Sequence, residues 1–476
     1  MPLRSAFALL FAILVAATAS AGDSDEVKAL KKSCDAGTAT DCHRLAGMHA
    51  RGEGGLSLDA GKAADYTKKA CQLSLLPACM DLAVRYRKGD GVKVEPLRAA
   101  EMYQKACDGG LAESCAELGL MYESGGEIDR HLGRAAEIHD KACQGGMTPS
   151  CGRLAAMYAA GSPMAKDEPR AAALFEKGCE GGDGPSCAQL ALMVRDGRGV
   201  KADPARAASL ARKACDAGQL RACAALGFAL RDGAGTSRDP AGALALFARA
   251  CDAGEGQGCL GLGQMHRDGV ATAADPARAA QLLDQACARE VGEGCYELAV
   301  LVARGQGVPQ DASRATSLLR DGCTKGDPRG CVQLGSLFQT GRVVVRDLNR
   351  AASLYREACD KGSIDGCSHL GGMVELGDVI GRDTGEAMSL YARTCAAGIA
   401  ADCHSLALLA KKERRDSREV LELNSKACEG GIGPACFEVA QAWEAARDPT
   451  KAQSFYQKSC AAGHQPACAR LRRLQQ

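Results

Sequence analysis

Apolar and polar residues follow a helical period through most of the chain, and the pattern restarts about every 36 residues. One copy, residues 98–125, reads RAAEMYQKACDGGLAESCAELGLMYESG. Small or apolar side chains such as Tyr103 and Ala106 share one face of a first predicted helix. A glycine break follows, and Leu118 and Met121 face inward from a second helix that Gly125 closes. Each copy is therefore predicted to be a helical hairpin.

An aspartate recurs twelve residues before the first cysteine of a copy, often followed by proline. Aspartate is a good N-cap because its carboxylate accepts orphan amide protons, and proline suits the first helical position because it lacks the amide. The predicted caps are Asp59, Asp167, Asp203, Asp239, Asp275, Asp311, Asp347, Asp383, Asp416 and Asp448.

The 26 cysteines form thirteen pairs whose members stand eight residues apart. The first cysteines are 37 residues apart once, 36 apart nine times, and then 33 and 32 apart, which is the regularity of a solenoid. The pairs are Cys34 with Cys42, Cys71 with Cys79, Cys107 with Cys115, Cys143 with Cys151, Cys179 with Cys187, Cys215 with Cys223, Cys251 with Cys259, Cys287 with Cys295, Cys323 with Cys331, Cys359 with Cys367, Cys395 with Cys403, Cys428 with Cys436, and Cys460 with Cys468.

A disulfide within each pair requires the chain to fold back. Residues eight apart in one helix are separated by roughly 12 Å, beyond the limit of about 7 Å between bonded Cα atoms. If the two cysteines flank the bend of the hairpin, the bond fastens one helix to the next and contributes roughly 2.5 kcal/mol in the chain-entropy model. Zinc binding and reduced thiols in a cytosolic protein are the alternatives, although zinc prefers ligands two to four residues apart. We predict disulfides and no metal or other cofactor.

The N-terminus resembles an export signal. Arg4 precedes an apolar run from Ala6 to Ala17, and Ala19-Ser20-Ala21 gives the small-x-small pattern of a cleavage site. We predict a signal peptide over residues 1–21, a single repeat array over 22–476, and no membrane span after cleavage. The mature chain is then exported to an oxidising periplasmic or extracellular compartment, where disulfides form.

Charge and composition exclude some functions. The chain carries 59 basic and 58 acidic residues, so it offers no basic stripe for nucleic acid. Aromatic residues make up only 4%, which makes large apolar cavities hard to build. Six aromatics share one repeat position and form either interhelix packing or a stacking track. They are Tyr103, Phe175, Phe247, Tyr355, Tyr391 and Tyr456.

A basic residue recurs at the third position of the first helix, where the helix dipole favours an acid. We expect either salt bridges to acids of the preceding second helix, such as Asp196, Asp232 and Asp268, or an arginine ladder that grips ligand carboxylates. The ligand-binding candidates are Arg98, Arg134, Arg170, Arg206, Arg278, Arg314 and Arg350.

The stretches RAAEMYQKAC and LGLMYESG, together with turns such as Gly89-Asp90-Gly91-Val92, resemble Sel1-like repeats, and the paired cysteines resemble the exported cysteine-rich Hcp type. The resemblance implies an all-α fold, an α/α solenoid or superhelix of about 13 disulfide-stapled helix-turn-helix repeats. It also implies a concave face, lined by first helices, that binds a protein, a peptide or a peptidoglycan-related fragment. The last three units depart from the pattern, since Lys412-Glu413 and Ala445-Ala446 replace the closing glycine.

Some proteins that look like this type carry a β-lactamase or penicillin-binding label, which would require an activated serine or a bound metal ion. No serine has lysine three residues on, and the Ser162 to Lys166 spacing is one residue too long. The eight histidines form no metal motif. The sequence therefore predicts an exported binding scaffold, with a β-lactam hydrolase as the alternative and no catalytic residue assigned.

Overall fold

The computed structural model describes residues 24–377 and 383–474, and these residues form 26 α-helices without strands. The predicted signal peptide lies outside the described residues. Odd-numbered helices are the first helices of the repeats and even-numbered helices are the second. The described chain divides into two compact units, the first ending at Gln219 and the second beginning at Leu220. The prediction of a single array stays a prediction.

The first unit contains eleven described helices. They are α1 (Asp25–Asp35), α2 (Ala39–Arg51), α3 (Ala60–Gln72), α4 (Leu76–Lys88), α5 (Pro96–Asp108), α6 (Ala112–Ser124), α7 (Leu132–Gln144), α8 (Thr148–Ala160), α9 (Glu168–Glu180), α10 (Gly184–Asp196) and α11 (Pro204–Asp216).

The second unit contains fifteen described helices. They are α12 (Leu220–Asp232), α13 (Pro240–Asp252), α14 (Gly256–Asp268), α15 (Pro276–Ala288), α16 (Gly292–Arg304), α17 (Ala312–Thr324), α18 (Pro328–Thr340), α19 (Leu348–Asp360), α20 (Ile364–Leu376), α21 (Thr384–Ala396), α22 (Ala400–Lys412), α23 (Ser417–Glu429), α24 (Gly433–Ala445), α25 (Pro449–Ala461) and α26 (Gln465–Leu474).

Ten first helices begin at the aspartates that the sequence predicts as caps. The side chains of all ten predicted aspartate caps accept a hydrogen bond from a backbone amide in the first turn of their helices. Second helices end on left-handed glycines from Gly52 to Gly377, as expected. Where the last repeats lack this glycine, Arg414 and Arg447 take the left-handed conformation one residue later, with φ of 55° and 61°.

The cysteine pairs lie at the bends of the hairpins, which confirms the predicted solenoid of stapled repeats. Twelve pairs have disulfide geometry with Cα atoms 4.5–4.8 Å apart. In the first unit they are Cys34 with Cys42, Cys71 with Cys79, Cys107 with Cys115, Cys143 with Cys151, and Cys179 with Cys187. In the second unit they are Cys251 with Cys259, Cys287 with Cys295, Cys323 with Cys331, Cys359 with Cys367, Cys395 with Cys403, Cys428 with Cys436, and Cys460 with Cys468.

The remaining pair, Cys215 and Cys223, lies on either side of the division between the units, and its pairing stays a prediction. The bend of a hairpin is tight. A Cβ built on Gly258 would lie 2.5 Å from the Cβ of Ala250, so only a residue without a side chain fits at this point of the seventh hairpin.

Some consecutive hairpins pack through an aromatic ring and a glycine. The six aromatics at the shared position are buried, so they serve interhelix packing and form no exposed stacking track. Tyr355 lies over Gly335 of the preceding second helix, where a Cβ would come within 2.9 Å of the ring. Tyr391 lies over Gly371 in the same way. The Leu-Gly dipeptide of these second helices therefore leaves space for the ring of the next repeat.

Candidate functional site

The candidate arginines of the ladder lie on aromatic rings in four repeats. Each guanidinium stands over a residue near the end of the preceding second helix, twelve residues earlier in the chain. The distances from guanidinium carbon to ring centre are 5.9 Å for Arg98 and Tyr86, 5.3 Å for Arg134 and Tyr122, 4.4 Å for Arg170 and Tyr158, and 5.6 Å for Arg350 and Phe338. Cation–π attraction thus compensates cations that the helix dipole disfavours.

The other three candidates have different partners, since Val194, His266 and Val302 stand at that spacing in place of a tyrosine or phenylalanine. Arg206 binds Glu176 of the preceding first helix, and Arg314 lies 3.6 Å from Asp284. Arg278 donates to Gln281 on its own helix at 3.2 Å. The structure therefore brings the seven arginines to one repeat position without giving them one common partner.

The predicted salt bridges between the recurrent basic residues and Asp196, Asp232 and Asp268 are not the contacts that these aspartates make. Each aspartate instead accepts a hydrogen bond from the arginine just before it in sequence, at 2.7 Å from Arg195, 2.7 Å from Arg231 and 2.6 Å from Arg267. These bonds lower the pKa of each aspartate. An arginine adjacent in sequence is already close to the carboxylate of the aspartate. The carboxylate is therefore occupied and does not pair with the basic residue of the next repeat.

Ion pairs also cross between second helices of neighbouring repeats. In the second unit Glu297 lies between Arg267 and Arg329, and only 12% of its side chain is exposed. Burial raises the pKa of Glu297, while the two arginines oppose that effect. In the first unit Arg153 binds Glu123 at 3.0 Å. We call the outward surface of the second helices, on which these pairs lie, the second-helix face.

Open grooves separate neighbouring second helices on this face. One of them has a volume of about 780 Å³ and lies between α8 and α10 of the first unit. Its floor includes Met157, Phe175 and Met193, and Arg130, Arg153 and Arg198 stand at its rim. A groove of 340 Å³ between α12 and α14 is lined mainly by charged residues. The sequence did not indicate these grooves, because they depend on how second helices of different repeats approach each other.

A serine, a histidine and a glutamate form a line beneath the large groove. The Nδ1 atom of His139 lies 3.3 Å from Oγ of Ser150, and its Nε2 atom lies 3.3 Å from Glu123. The side chain of His139 is fully buried and Ser150 is 2% exposed, so a substrate has no access to the hydroxyl. Burial lowers the pKa of His139. This arrangement packs the fourth hairpin and cannot act as a catalytic triad.

The residues checked for β-lactamase chemistry do not form a site. Lys166 lies 2.8 Å from Glu168 as an ion pair, and Ser162 follows the glycine that ends α8. Among the described residues, Cys323, Cys331 and Glu357 are the group close enough to share a metal ion. The two sulfurs are joined in a disulfide and are not available as thiolate ligands.

The stacked hairpins, the tight bends and the grooves define an α-helical repeat scaffold. Eleven segments match the family model described as Sel1 repeat, and the chain belongs to that family. Its paired cysteines fit the Hcp-type subfamily. The matched residues are 40–75, 76–111, 112–147, 148–183, 184–219, 220–255, 256–290, 292–327, 328–363, 364–399 and 435–464. Sel1 repeat scaffolds are protein-interaction modules and typically have no catalytic activity.

One solved structure shows the same fold, and two further proteins are similar over shorter stretches. The protective antigen c5321 of uropathogenic Escherichia coli, which displays an SLR fold, is 23% identical, with a TM-score of 0.60 over 94% of this chain and 97% of that chain. Cysteine-rich protein B of Helicobacter pylori is 29% identical over 27% of this chain and 92% of its own, with a TM-score of 0.24. Cytochrome c oxidase assembly factor 7A of Xenopus laevis is 34% identical over 61 residues, which are 13% of this chain and 26% of that protein.

Proposed function

We propose that this chain is an exported repeat scaffold that binds a protein or a peptide, including the peptides of cell-wall fragments. The observation that carries this proposal is the series of open grooves between second helices, which are rimmed by charged residues and of which the groove between α8 and α10 has an apolar floor. Binding sites combine such apolar surface with a few polar groups that fix orientation. The family resemblance implies binding on a concave surface lined by first helices, and this stays a prediction.

Export is part of the same proposal. The apolar run before Ala21 supports it, as do the cysteine pairs, since disulfides persist in oxidising compartments. None of the described helices is long and apolar enough to cross a membrane. N-terminal sequencing of the protein from an envelope fraction is expected to begin at Gly22. Its cysteines are expected to react with an alkylating reagent only after reduction. A chain that keeps residues 1–21 and carries alkylatable thiols would contradict export.

The binding function is tested with the purified, oxidised chain immobilised and exposed to an envelope extract. The control is the same chain reduced and alkylated, because loss of the disulfides loosens the hairpins and leaves the amino-acid sequence unchanged. We expect the oxidised chain to retain a protein or peptide that then binds saturably as a purified component. Retention that is equal on both chains, or that requires only a glycan strand, would reject the proposal.

A further inference from the structure

The groove between α8 and α10, which we call the α8/α10 groove, exists because α8 is lined with small residues. Gly152, Ala156 and Ala160 line its α8 side, whereas Gln189 and Met193 line its α10 side. Ala156 is exposed, and the equivalent position of α10 is occupied by Leu192. The two helices therefore leave a trough of about 780 Å³, within the usual range of ligand sites.

The floor of the α8/α10 groove is apolar. Met157, Phe175 and Met193 are 8%, 4% and 2% exposed, and they belong to three helices of two successive repeats. Aliphatic side chains that enter this trough leave water and gain about 25 cal/mol per Å² of apolar surface. A phosphodiester backbone would gain little from such a floor, so the floor favours a peptide over a nucleic acid.

At the rim of the α8/α10 groove, more cationic than anionic side chains are available to bind a ligand. The guanidinium of Arg130 donates through Nε to the backbone oxygen of Glu123 at 3.0 Å, and within the described chain it has no carboxylate partner. Arg198 forms a long ion pair with Asp196, at 3.8 Å, beyond hydrogen-bonding distance, and the acid Glu123 of the lining is paired with Arg153. The carboxylate of Asp183 is occupied as a helix cap by the backbone amide of Ser186, at 2.9 Å, and by its hydroxyl.

We propose that the α8/α10 groove binds a short extended peptide in which a carboxylate stands next to aliphatic side chains. Arg130 and Arg198 hold the carboxylate at the rim, because a guanidinium presents two parallel donors to it. The aliphatic side chains lie on Met157 and Phe175. This inference rests on the proposed function of peptide binding, to which it adds the site and the chemistry of the partner.

Fluorescence anisotropy with the oxidised full chain tests this site. The probes are two labelled hexapeptides of alternating residues, one of aspartate and leucine and the other of lysine and leucine. We expect the acidic peptide to bind saturably and the basic one to bind at least tenfold more weakly. Equal binding of both peptides, or binding of neither, would overturn the proposal.

Two substitutions locate the binding in the α8/α10 groove. Ala156→Trp places a large ring in the trough from an exposed position, and Arg130→Glu reverses the charge at the rim. Each is expected to weaken binding of the acidic peptide at least tenfold. The matched control is Arg346→Glu, because Arg346 donates to a backbone oxygen in the same way at 3.1 Å in the second unit. Binding by the control should stay within twofold, and an equal loss in all three variants would overturn the assignment.

Capture from the envelope extract separates this inference from the proposed function. If the parent chain captures a partner and Ala156→Trp captures it equally well, the scaffold function stands and the α8/α10 groove is not the site. If the parent chain captures no partner, the scaffold function itself fails. Loss of capture in Ala156→Trp with an unchanged melting temperature supports both.

Discussion

The guanidinium carbon of Arg170 lies 4.4 Å from the centre of the Tyr158 ring, and this contact joins the fifth repeat to the fourth. A cation–π pair at an exposed site contributes about 0.5–1 kcal/mol. A double-mutant cycle of Arg170→Ala and Tyr158→Leu, followed by urea unfolding, should give a coupling free energy of that size. The control cycle uses Arg206 and Val194, which occupy the same positions without a ring. A coupling equal to that of the control would contradict the stacking.

The arginine ladder can serve packing alone or can also hold a ligand, and two triple variants distinguish these roles. Replacing Arg98, Arg134 and Arg170 with glutamine removes both the stacks and the cations. Replacing Tyr86, Tyr122 and Tyr158 with leucine removes the stacks and keeps the cations. If the ladder grips ligand carboxylates, capture of a partner falls in the arginine variant only. Equal capture by both variants, measured on chains of similar melting temperature, would leave the arginines with a structural role.

The features that were predicted correctly from the sequence depend on residues that are close together along the chain. A cap such as Asp203 acts within one helical turn, and the bend between Cys107 and Cys115 closes a loop of few residues, so both could be inferred from spacing. The salt bridge expected at Asp196 was wrong because Arg195, the adjacent residue, occupies that carboxylate. The recurrent spacing between Tyr122 and Arg134 can be read from the sequence. Whether the two side chains stack depends on the angle between their helices, which the sequence pattern does not give.

The α8/α10 groove could not be predicted for a different physical reason. Its walls belong to second helices of different repeats, and the repeat pattern is nearly the same wherever such helices meet. The difference lies in the side-chain volume at single positions, such as Ala156 where α10 has Leu192. A consensus pattern describes what the repeats share, whereas a binding site depends on where one repeat departs from it.

Two adjacent glycines of α20 should respond in opposite ways to alanine. A Cβ on Gly371 would lie 3.0 Å from Cε1 of Tyr391, whose buried hydroxyl donates to Glu375 at 2.8 Å. A Cβ on Gly372 would contact only the Tyr391 hydroxyl oxygen, at 3.8 Å. Overpacking costs about 1–3 kcal/mol, and the gain in helix propensity is about 1 kcal/mol.

We therefore expect Gly371→Ala to destabilise the hairpin by roughly 1 kcal/mol and Gly372→Ala to stabilise it by a similar amount. Hydrogen exchange of α20 and α21 measures this locally, which suits a repeat protein whose units need not unfold together. Stabilisation by both variants would show that the Tyr391 ring does not constrain Gly371, and destabilisation by both would show that helix propensity does not decide the effect at Gly372.

The fourth hairpin should loosen in mild acid because His139 is buried. Burial, together with Arg153, lowers the pKa of His139 below its ordinary value of 6.5, and Glu123 only partly opposes this. The unfolded chain therefore binds a proton at a higher pH than the folded chain. This contribution to stability is fully present above about pH 6.5 and decreases as the pH falls through the unfolded and then the folded pKa.

Hydrogen exchange of α7 and α8, corrected for the intrinsic rate at each pH, should show this decrease in the parent chain. His139→Phe should remove it, since Phe247 occupies the same repeat position in another hairpin. The control His43→Gln, which changes a histidine near the surface, should keep it. A pH dependence that survives in His139→Phe would assign the effect to another group.

Val343 should be one of the few exposed residues whose loss stabilises the chain. Its φ is 69°, a left-handed conformation that a β-branched residue adopts at a cost of roughly 1–2 kcal/mol. Glycine occupies the equivalent turn position as Gly91, Gly199 and Gly307, with φ of 74°, 70° and 72°. Val343 is 59% exposed, so Val343→Gly loses little buried surface. We expect a net gain of about 1 kcal/mol after the greater freedom of glycine in the unfolded chain is subtracted.

The control for Val343→Gly is Val345→Gly, two residues further along the same turn. Val345 is 88% exposed and does not have a positive φ, so this substitution brings only the entropic loss of about 0.4–1 kcal/mol. Thermal unfolding of the oxidised chain, together with hydrogen exchange of α18 and α19, should move in opposite directions for the two variants. If both lower stability, the prediction is wrong, because the contacts of the Val343 side chain then outweigh the cost of its left-handed conformation.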